Sequence, residues 1–360
     1  MQKSKTLIPL HYFYDPLVFE QEKSAFAKMW IFVGFTDDLQ EANQYITIDY
    51  LNQSIVIKNF DGELKAFLNV CSHRFSKICS HKTGKGHLQC PYHGWTYDKD
   101  GLPYAIPRKA EFENLQPQEL KLRSFEVATV GRFVFLKTNP GGLSLKAFLG
   151  ETYDFIEKVS SAMGKKIDTN EISIKANWKV IVENTLEEYH VRQVHPDSLC
   201  KVEIQKSQFA FVEPHSSDHM TFKVKFSNFK KLPDLMKDRE WHIEDYIHQL
   251  IFPNMTIASA FGTTLAIQEI KPLSSGNTLF VSHVFAAKLK ENEDHALVKA
   301  FNQNAVSFNR QVFEEDRIIC EAVQEGLKQA HLAQGTLSQD EERVWAFEKN
   351  YMNLMNGSKG

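Results

Sequence analysis

Two short segments constrain this chain more than anything else in it. They are Cys71-Ser72-His73 and Cys90-Pro91-Tyr92-His93, with 16 residues between His73 and Cys90. Two thiols and two imidazoles on separate arms can serve one metal group only if the fold brings two loops together. Zinc is the first alternative, since two Cys and two His form a common structural zinc set. Its usual spacing pairs like with like, C-x2–4-C and then H-x3–5-H. Here each arm carries one Cys and one His. That suits a [2Fe–2S] cluster in which two thiolates hold one iron and two imidazoles the other. A second C-S-H triplet, Cys79-Ser80-His81, ends only eight residues before Cys90, which is short for the strand pair expected between two cluster loops. Cys71 and His73 are therefore the expected ligands, and Cys79 reads as a small buried hydrophobe.

A cluster alone would make an electron carrier. The segment Asn177-Trp178-Lys179-Val180-Ile181-Val182-Glu183-Asn184-Thr185-Leu186-Glu187-Glu188-Tyr189-His190, followed by His195-Pro196, argues for more. His190 and His195 are five apart, slightly more than one helical turn, so their rings need a bend or a helix end to converge. Pro196 suits a helix that stops there. Two His and a distant carboxylate make the facial triad of non-heme iron(II) oxygenases, which leaves metal positions open for oxygen and substrate. The carboxylate should come from the acidic, helix-patterned stretch Val312–Val323. Asp316 is the choice, and on composition alone Glu314, Glu315 and Glu321 compete with it.

With these residues in view, CSHR…CPYHGWTYDKDG resembles the Rieske motif of the ring-hydroxylating, or Rieske non-heme iron, oxygenases. The N-W-K and L-E-E-Y-H segments resemble the choline and carnitine monooxygenase-like branch. Respiratory Rieske proteins are less similar: their loops carry an extra disulfide, and the corresponding positions here are Ser76 and Tyr92. Phe75 departs from the oxygenase pattern, which has Gly after His-Arg, so the first loop is expected to differ in conformation. Glu315-Asp316…Glu321-Ala322-Val323-Gln324-Glu325-Gly326-Leu327 is similar to the E-D-x4-E-x2-Q-x-G-L segment of the family, in which the Asp binds iron.

The resemblance implies an α+β chain: an all-β Rieske domain holding the cluster on Cys71, His73, Cys90 and His93, and a helix-grip (START-like) catalytic domain with an antiparallel sheet and mononuclear iron(II) on His190, His195 and Asp316. It implies that Glu187 bridges His190 to His93 of a neighbouring subunit, which is why the family forms head-to-tail homotrimers. Glu187 and Asn184 are taken as catalytic candidates. On a helix, Glu187 would share a face with His190, three residues on, while Glu188 would point elsewhere. The implied function is that of a terminal oxygenase, most simply a monooxygenase. It uses O2 and electrons from NAD(P)H, delivered by a separate flavin or ferredoxin-type reductase, to hydroxylate a small molecule such as a quaternary amine. The alternatives are an aromatic-ring dihydroxylating dioxygenase or demethylase acting on an aromatic acid and, further off, a non-catalytic Rieske carrier. The chain itself shows neither a Gly-rich dinucleotide fingerprint nor a C-x4-C-x2-C set, which is why the reductase must be another protein.

Composition sets the remaining bounds. A length of 360 suits about two domains. We expect residues 1–40 to be an N-terminal segment packing with the catalytic domain, 41–148 the Rieske domain and 149–360 the catalytic domain. A net charge of −3 gives no general attraction to nucleic acid or to a membrane surface. No long apolar run marks a signal peptide or a span, and five Cys with two assigned to iron suit the reducing cytoplasm. The patterning predicts a helix from Pro16 to Trp30, a turn at Gly84 and Gly86, a hairpin at Asp98–Gly101 and a long acidic helix from about Asp294 to Gln329. Strands are predicted at Tyr45–Tyr50, Ser54–Lys58, Leu64–Asn69, Phe125–Val130 and Arg132–Leu136, then at Glu171–Ala176, Phe209–Phe211, Thr221–Phe226, Met255–Ala260, Thr264–Lys271 and Thr278–Phe285. Phe209, Phe211, Trp241, Tyr246, Phe252 and Phe261 are pocket candidates, with core packing as the alternative for each; an aromatic cage for a quaternary ammonium is one use of such rings.

Overall fold

The computed structural model describes residues 5–201, 210–212, 220–225, 239, 245–260, 262–291 and 293–357. Phe209, Phe226, Trp241 and Phe261 lie outside the described residues. The chain divides into two compact units, Phe26–Phe148 and a second formed by Met1–Ala25 with Leu149–Gly360.

In the first unit β1 (Ile31–Phe35), β2 (Gln44–Tyr50), β3 (Gln53–Phe60), β4 (Glu63–Leu68), β5 (Thr83–Lys85), β9 (Ser124–Val130) and β10 (Phe133–Lys137) form one sheet in the order β1-β10-β9-β4-β3-β2-β5. Its core gathers Ile31, Val33, Ile55, Ile57, Val134 and Leu136. A smaller sheet of β6 (Leu88–Gln89), β7 (Thr96–Tyr97) and β8 (Pro103–Ala105) carries the second Cys-His arm. The expected Asp98–Gly101 turn joins β7 to β8. Asp98 Oδ1 accepts from the backbone N–H groups of Asp100 and Leu102, both at 2.9 Å, and Gly101 takes a φ of 79°.

Three expectations are corrected here. The first helix stops at Phe26 rather than Trp30, and Ile31–Phe35 is a strand paired to β10. That run of apolar residues is buried at nearly every position, so it has no two-residue alternation to announce it. The cluster-bearing unit consequently begins at Phe26, not at residue 41. Third, Gly84 lies within the short edge strand β5, paired with Tyr45, rather than in a turn.

In the second unit, β11 (Met163–Ile174), β12 (Ala210–Val212), β13 (Met220–Lys225), β14 (Asp245–Ile251), β15 (Met255–Ala260), β16 (Thr264–Ser274) and β17 (Asn277–Ala287) make an antiparallel sheet. Its order is β11-β17-β16-β15-β14-β13-β12. The long helix Ala296–Gln329 packs on the β11–β17 side: Phe313 meets Phe280 at 4.8 Å between ring centroids, Asn309 Oδ1 accepts from Ser282 Oγ at 3.0 Å, and Arg310 pairs with Asp168. Strand β14 is not among the strands that the sequence pattern predicts.

Helix Trp178–Thr185 starts where Asn177 Oδ1 accepts the N–H of Lys179 at 3.0 Å, an N-cap that satisfies one orphan donor of the first turn. Trp178 and Lys179 then enter the core. Lys179 Nζ donates to Glu22 Oε1 at 2.6 Å, Trp178 Nε1 to Glu22 Oε2 at 3.0 Å and Tyr351 Oη to Glu22 Oε1 at 2.5 Å, with Glu22 and Lys179 fully buried. A buried carboxylate survives only when its lone pairs are satisfied. Tyr351→Phe should therefore cost about 1–3 kcal/mol by leaving one acceptor unmade. A lower denaturant midpoint followed by tryptophan fluorescence would show it, and an unchanged midpoint would contradict the role given to the phenol.

Candidate metal centres and the cavity at the second

The two Cys-His arms fold as matching turns. Cys71 N–H donates to the Ser76 carbonyl and Phe75 N–H to the Cys71 carbonyl, at 2.8 and 3.0 Å. In the second arm Cys90 N–H donates to the Trp95 carbonyl and Gly94 N–H to the Cys90 carbonyl, at the same two distances. Phe75 thus occupies the place of Gly94, and both residues have left-handed backbones, with φ of 60° and 76°. The first loop was expected to change shape because Phe replaces Gly; it keeps the shape and carries the strain instead. An L-residue in this region costs roughly 1–2 kcal/mol, and the Phe75 ring, 77% exposed, gains little burial in return. Phe75→Gly should stabilise the loop by about 1 kcal/mol. Bleaching of the cluster in denaturant would then need a higher concentration; a lower midpoint would show that the ring makes contacts worth more than the strain.

The turns bring all four expected ligands together. Cys71 and Cys90 are buried and free, with their thiols within hydrogen-bonding reach of each other. The His73 and His93 ring centroids lie 4.6 Å apart. His73 Nδ1 is buried with no hydrogen-bond partner, the state of an atom whose lone pair is meant for something else. Burial, then His93 and Arg74, hold the His73 pKa below its usual value, which favours the neutral imidazole a metal requires. Trp95 stacks on His73 at 4.8 Å, almost parallel. A [2Fe–2S] group fits these donors. Tyr97 adds a contact that the motif does not announce: its hydroxyl lies 3.1 Å from Cys71 Sγ and accepts from the Ser72 N–H at 3.0 Å. Cys79 is buried among Val56, Phe67 and Leu88, its thiol pushed up to about 11 by burial, while His81 is exposed.

The second group is as compact. One ligand atom from each of His190, His195 and Asp316 lies within 4.8 Å of the others. His190 and His195 flank the single helical turn Val191–Val194, which supplies the bend their spacing required. Asp316 Oδ1 sits 3.0 Å from His195 Nε2 and 3.6 Å from His190 Nε2, and Asn184 Nδ2 donates to the same oxygen at 2.9 Å. The other edges of both rings face carboxylates. Glu187 accepts from His190 Nδ1 and, at 3.1 Å, from the His190 N–H; Glu315 Oε2 lies 2.7 Å from His195 Nδ1 and also accepts from Ser198 Oγ at 2.5 Å. A carboxylate on the outer nitrogen fixes the tautomer and turns Nε2 toward the metal, so a divalent metal fits this donor set. Burial opposes charge on His190, but Asp316 and Glu187 outweigh it and raise its pKa to about 9. Burial likewise opposes the Asp316 anion, and His190, His195 and Asn184 outweigh it, holding the carboxyl below its usual range.

Glu187 reaches His190 from the link between helices Trp178–Thr185 and Val191–Val194, not from a shared helix face as expected. The helix ends at Thr185 and a turn does the work. In the same link Glu188 is drawn inward, against expectation, and burial, Asp340 and Glu187 push its pKa up to about 7. Glu315, weighed in the sequence only as a rival to Asp316, is instead the partner of His195.

A cavity of about 650 Å³ opens on this group. Its walls include Asn184, Glu187, Glu188, Tyr246, His248, Phe301, Phe308, Phe313 and Arg343 beside the three ligands. Of the aromatic residues put forward from the sequence as pocket candidates, Tyr246 is the one placed here among the described residues. Phe252 packs instead against Trp178 and Phe347 in the core.

With this geometry in view, residues 156–357 match the ring hydroxylating alpha subunit (catalytic domain) family and residues 29–126 the Rieske [2Fe-2S] domain. The chain belongs to the ring hydroxylating alpha subunits, and is a Rieske-type oxidoreductase with a [2Fe–2S] domain and a non-heme iron catalytic domain that uses O2. It is 26% identical to the chloroplastic choline monooxygenase of Beta vulgaris over 332 residues, covering 89% of this chain and 70% of that protein. It is 29% identical over 343 residues to the carnitine monooxygenase oxygenase subunit of Acinetobacter pittii, covering 93% and 89%. A solved quaternary ammonium Rieske monooxygenase, described for carnitine oxidation and inter-subunit electron transfer, superposes with a TM-score of 0.82 at 23% identity, covering 98% and 95%.

Proposed function

We propose that this protein is the terminal oxygenase of a multi-component system that hydroxylates a small quaternary amine. The cavity carries the reading: its walls hold the three metal-binding side chains and, beside them, Tyr246, Phe301, Phe308 and Phe313. Ring faces attract a quaternary ammonium, which has no N–H to donate and takes most of its binding from desolvation and cation–π contact. The relatives named for choline and carnitine point the same way and favour the amine over an aromatic acid.

With iron bound, the centre would supply O2 activation for insertion of one oxygen atom into a C–H bond, the second leaving as water and NAD(P)H providing two electrons through a separate reductase. The protein's part is positional. Cys71, His73, Cys90 and His93 would hold the cluster, and His190, His195 and Asp316 the mononuclear iron. Glu187 and Glu315 keep the two imidazoles oriented. Asn184 steadies Asp316 through the hydrogen bond its side-chain amide donates, and the aromatic walls face the substrate's place. Glu187 is also assigned the link from His190 to His93 of a neighbouring subunit, in the homotrimer that the family resemblance implies; the inter-subunit electron transfer described for the structural relative is in keeping with a route between subunits. No helix among the described residues is long and apolar enough to cross a membrane, and the five free cysteines support a cytoplasmic setting.

The test is substrate-dependent O2 uptake by the purified protein with a surrogate reductase, comparing quaternary amines with aromatic acids. Uptake coupled to an oxygenated quaternary amine is expected. Uptake with aromatic acids alone would reject the substrate class, and a colourless protein containing zinc would reject the oxygenase.

A further inference from the structure

Arg343 is a cation in a place where the reaction above gives it nothing to do. It lies in the first turn of helix Glu342–Met355, is only 5% exposed and lines the cavity that holds His190, His195 and Asp316. Its Nη2 sits 3.1 Å from His248 Nδ1 and 3.5 Å from the His248 carbonyl. Burial, reinforced by Arg343, holds the His248 pKa well below its usual value, so the ring is neutral. Its Nδ1 must accept from the guanidinium, which leaves the ring proton on Nε2. Tyr246 precedes His248 by two residues on β14, so both point to the same side of the strand. Burial pushes the Tyr246 phenol up to about 12, so it remains a donor. A guanidinium, a phenol and an imidazole N–H on one cavity wall form a set of donors suited to an anion, and a planar guanidinium binds carboxylates with two parallel bonds.

We propose that the substrate carries a carboxylate as well as its quaternary nitrogen, and that Arg343 binds that carboxylate and so sets the specificity of the site. This rests on the quaternary amine reading. Phe301, Phe308 and Phe313 line the same cavity. Their ring faces suit the cationic end and the donor wall suits the carboxylate, so the two ends of a zwitterion have distinct places. The aromatic walls alone would accept a quaternary alcohol equally well; Arg343 makes the difference.

The test compares kcat/KM for glycine betaine and for choline, which share the trimethylammonium group and differ in a carboxylate against an alcohol. The wild type should prefer the carboxylate. Arg343→Gln should lower the ratio of the two values about 30-fold, and Arg343→Lys should restore part of it, because one charged hydrogen-bonded contact is removed and then partly returned. An unchanged ratio in Arg343→Gln overturns the proposal even if both activities fall. Should that variant not fold, the wild type alone decides: it should prefer glycine betaine to its methyl ester by a similar factor, and parity overturns the proposal. If no quaternary ammonium compound is consumed, the quaternary amine reading has failed separately. Arg343 is then judged on benzoate against benzamide, where parity again overturns its role.

Discussion

Asp316→Ala should yield a coloured, folded and inactive protein. Asp316 Oδ1 is the atom on which Asn184 Nδ2, His195 Nε2 and His190 Nε2 converge. Its removal takes away the sole carboxylate of the three-ligand group and leaves two imidazoles to hold the metal. Loss of a residue that merely orients a ligand typically costs about 10–100-fold in metal affinity or activity, and loss of the ligand itself should exceed that. Substrate-dependent O2 uptake is therefore expected to fall more than about 100-fold. The proposed cluster ligands Cys71, His73, Cys90 and His93 belong to the other compact unit, so the visible spectrum of the cluster should persist. Metal analysis should find the two cluster irons and lose the mononuclear one. Continued hydroxylation by the variant would remove Asp316 from the site. Glu315→Gln provides the contrast. Its carboxylate faces the outer nitrogen of His195, so activity should drop about 10–100-fold and recover in excess iron(II).

The contrast between Asp316 and Glu315 also shows where sequence reasoning stops. Adjacent residues on a helix point about 100° apart, so a search for one carboxylate facing the metal leaves its neighbour among the solvated charges. An imidazole, however, offers nitrogens on two edges, and His195 uses both: Nε2 toward Asp316 and Nδ1 toward Glu315. The local motifs were legible because their chemistry is local. The Cys-His spacing within each cluster arm, and the helix end at His195 before Pro196, involve residues within a few positions of each other. What the pattern concealed depends on surroundings built from distant parts of the chain. Strand β14 went unrecognised because both its faces are covered, so His248 and Gln249 are buried beside Ile247 and Leu250 and no polar–apolar alternation survives. Arg343 directly follows Asp340, Glu341 and Glu342, which give no sign of a cavity, and only the tertiary fold turns it inward. Phe75 is the opposite case: the sequence flagged a misfit, and the structure shows the turn tolerating it at the cost of strain.

Glu187→Gln should separate the assembly of the two centres from communication between them. Glu187 takes the ring Nδ1 and the backbone N–H of His190 together, one carboxylate oxygen for each. Glutamine keeps the size and one acceptor oxygen, so the link between helices Trp178–Thr185 and Val191–Val194 should hold and both iron contents should remain near wild type. The negative charge beside the imidazole is lost. That charge raises the basicity of the His190 ring and fixes its tautomer, and on our reading it also couples His190 to His93 of a neighbouring subunit. The expected result is a single turnover slowed about 10- to 100-fold, seen as delayed reoxidation of the pre-reduced cluster when O2 and substrate are mixed in. A purely structural Glu187 would give another pattern, with the mononuclear iron lost and the remaining iron-loaded fraction turning over at the wild-type rate. Rates unchanged with both metals present would remove the bridge and leave Glu187 as a helix-link residue. Glu187→Asp tells charge from reach: it restores the charge on a side chain one methylene shorter. Recovery in that variant assigns the effect to charge, and a rate as slow as that of Glu187→Gln assigns it to the distance between the carboxylate and the His190 ring.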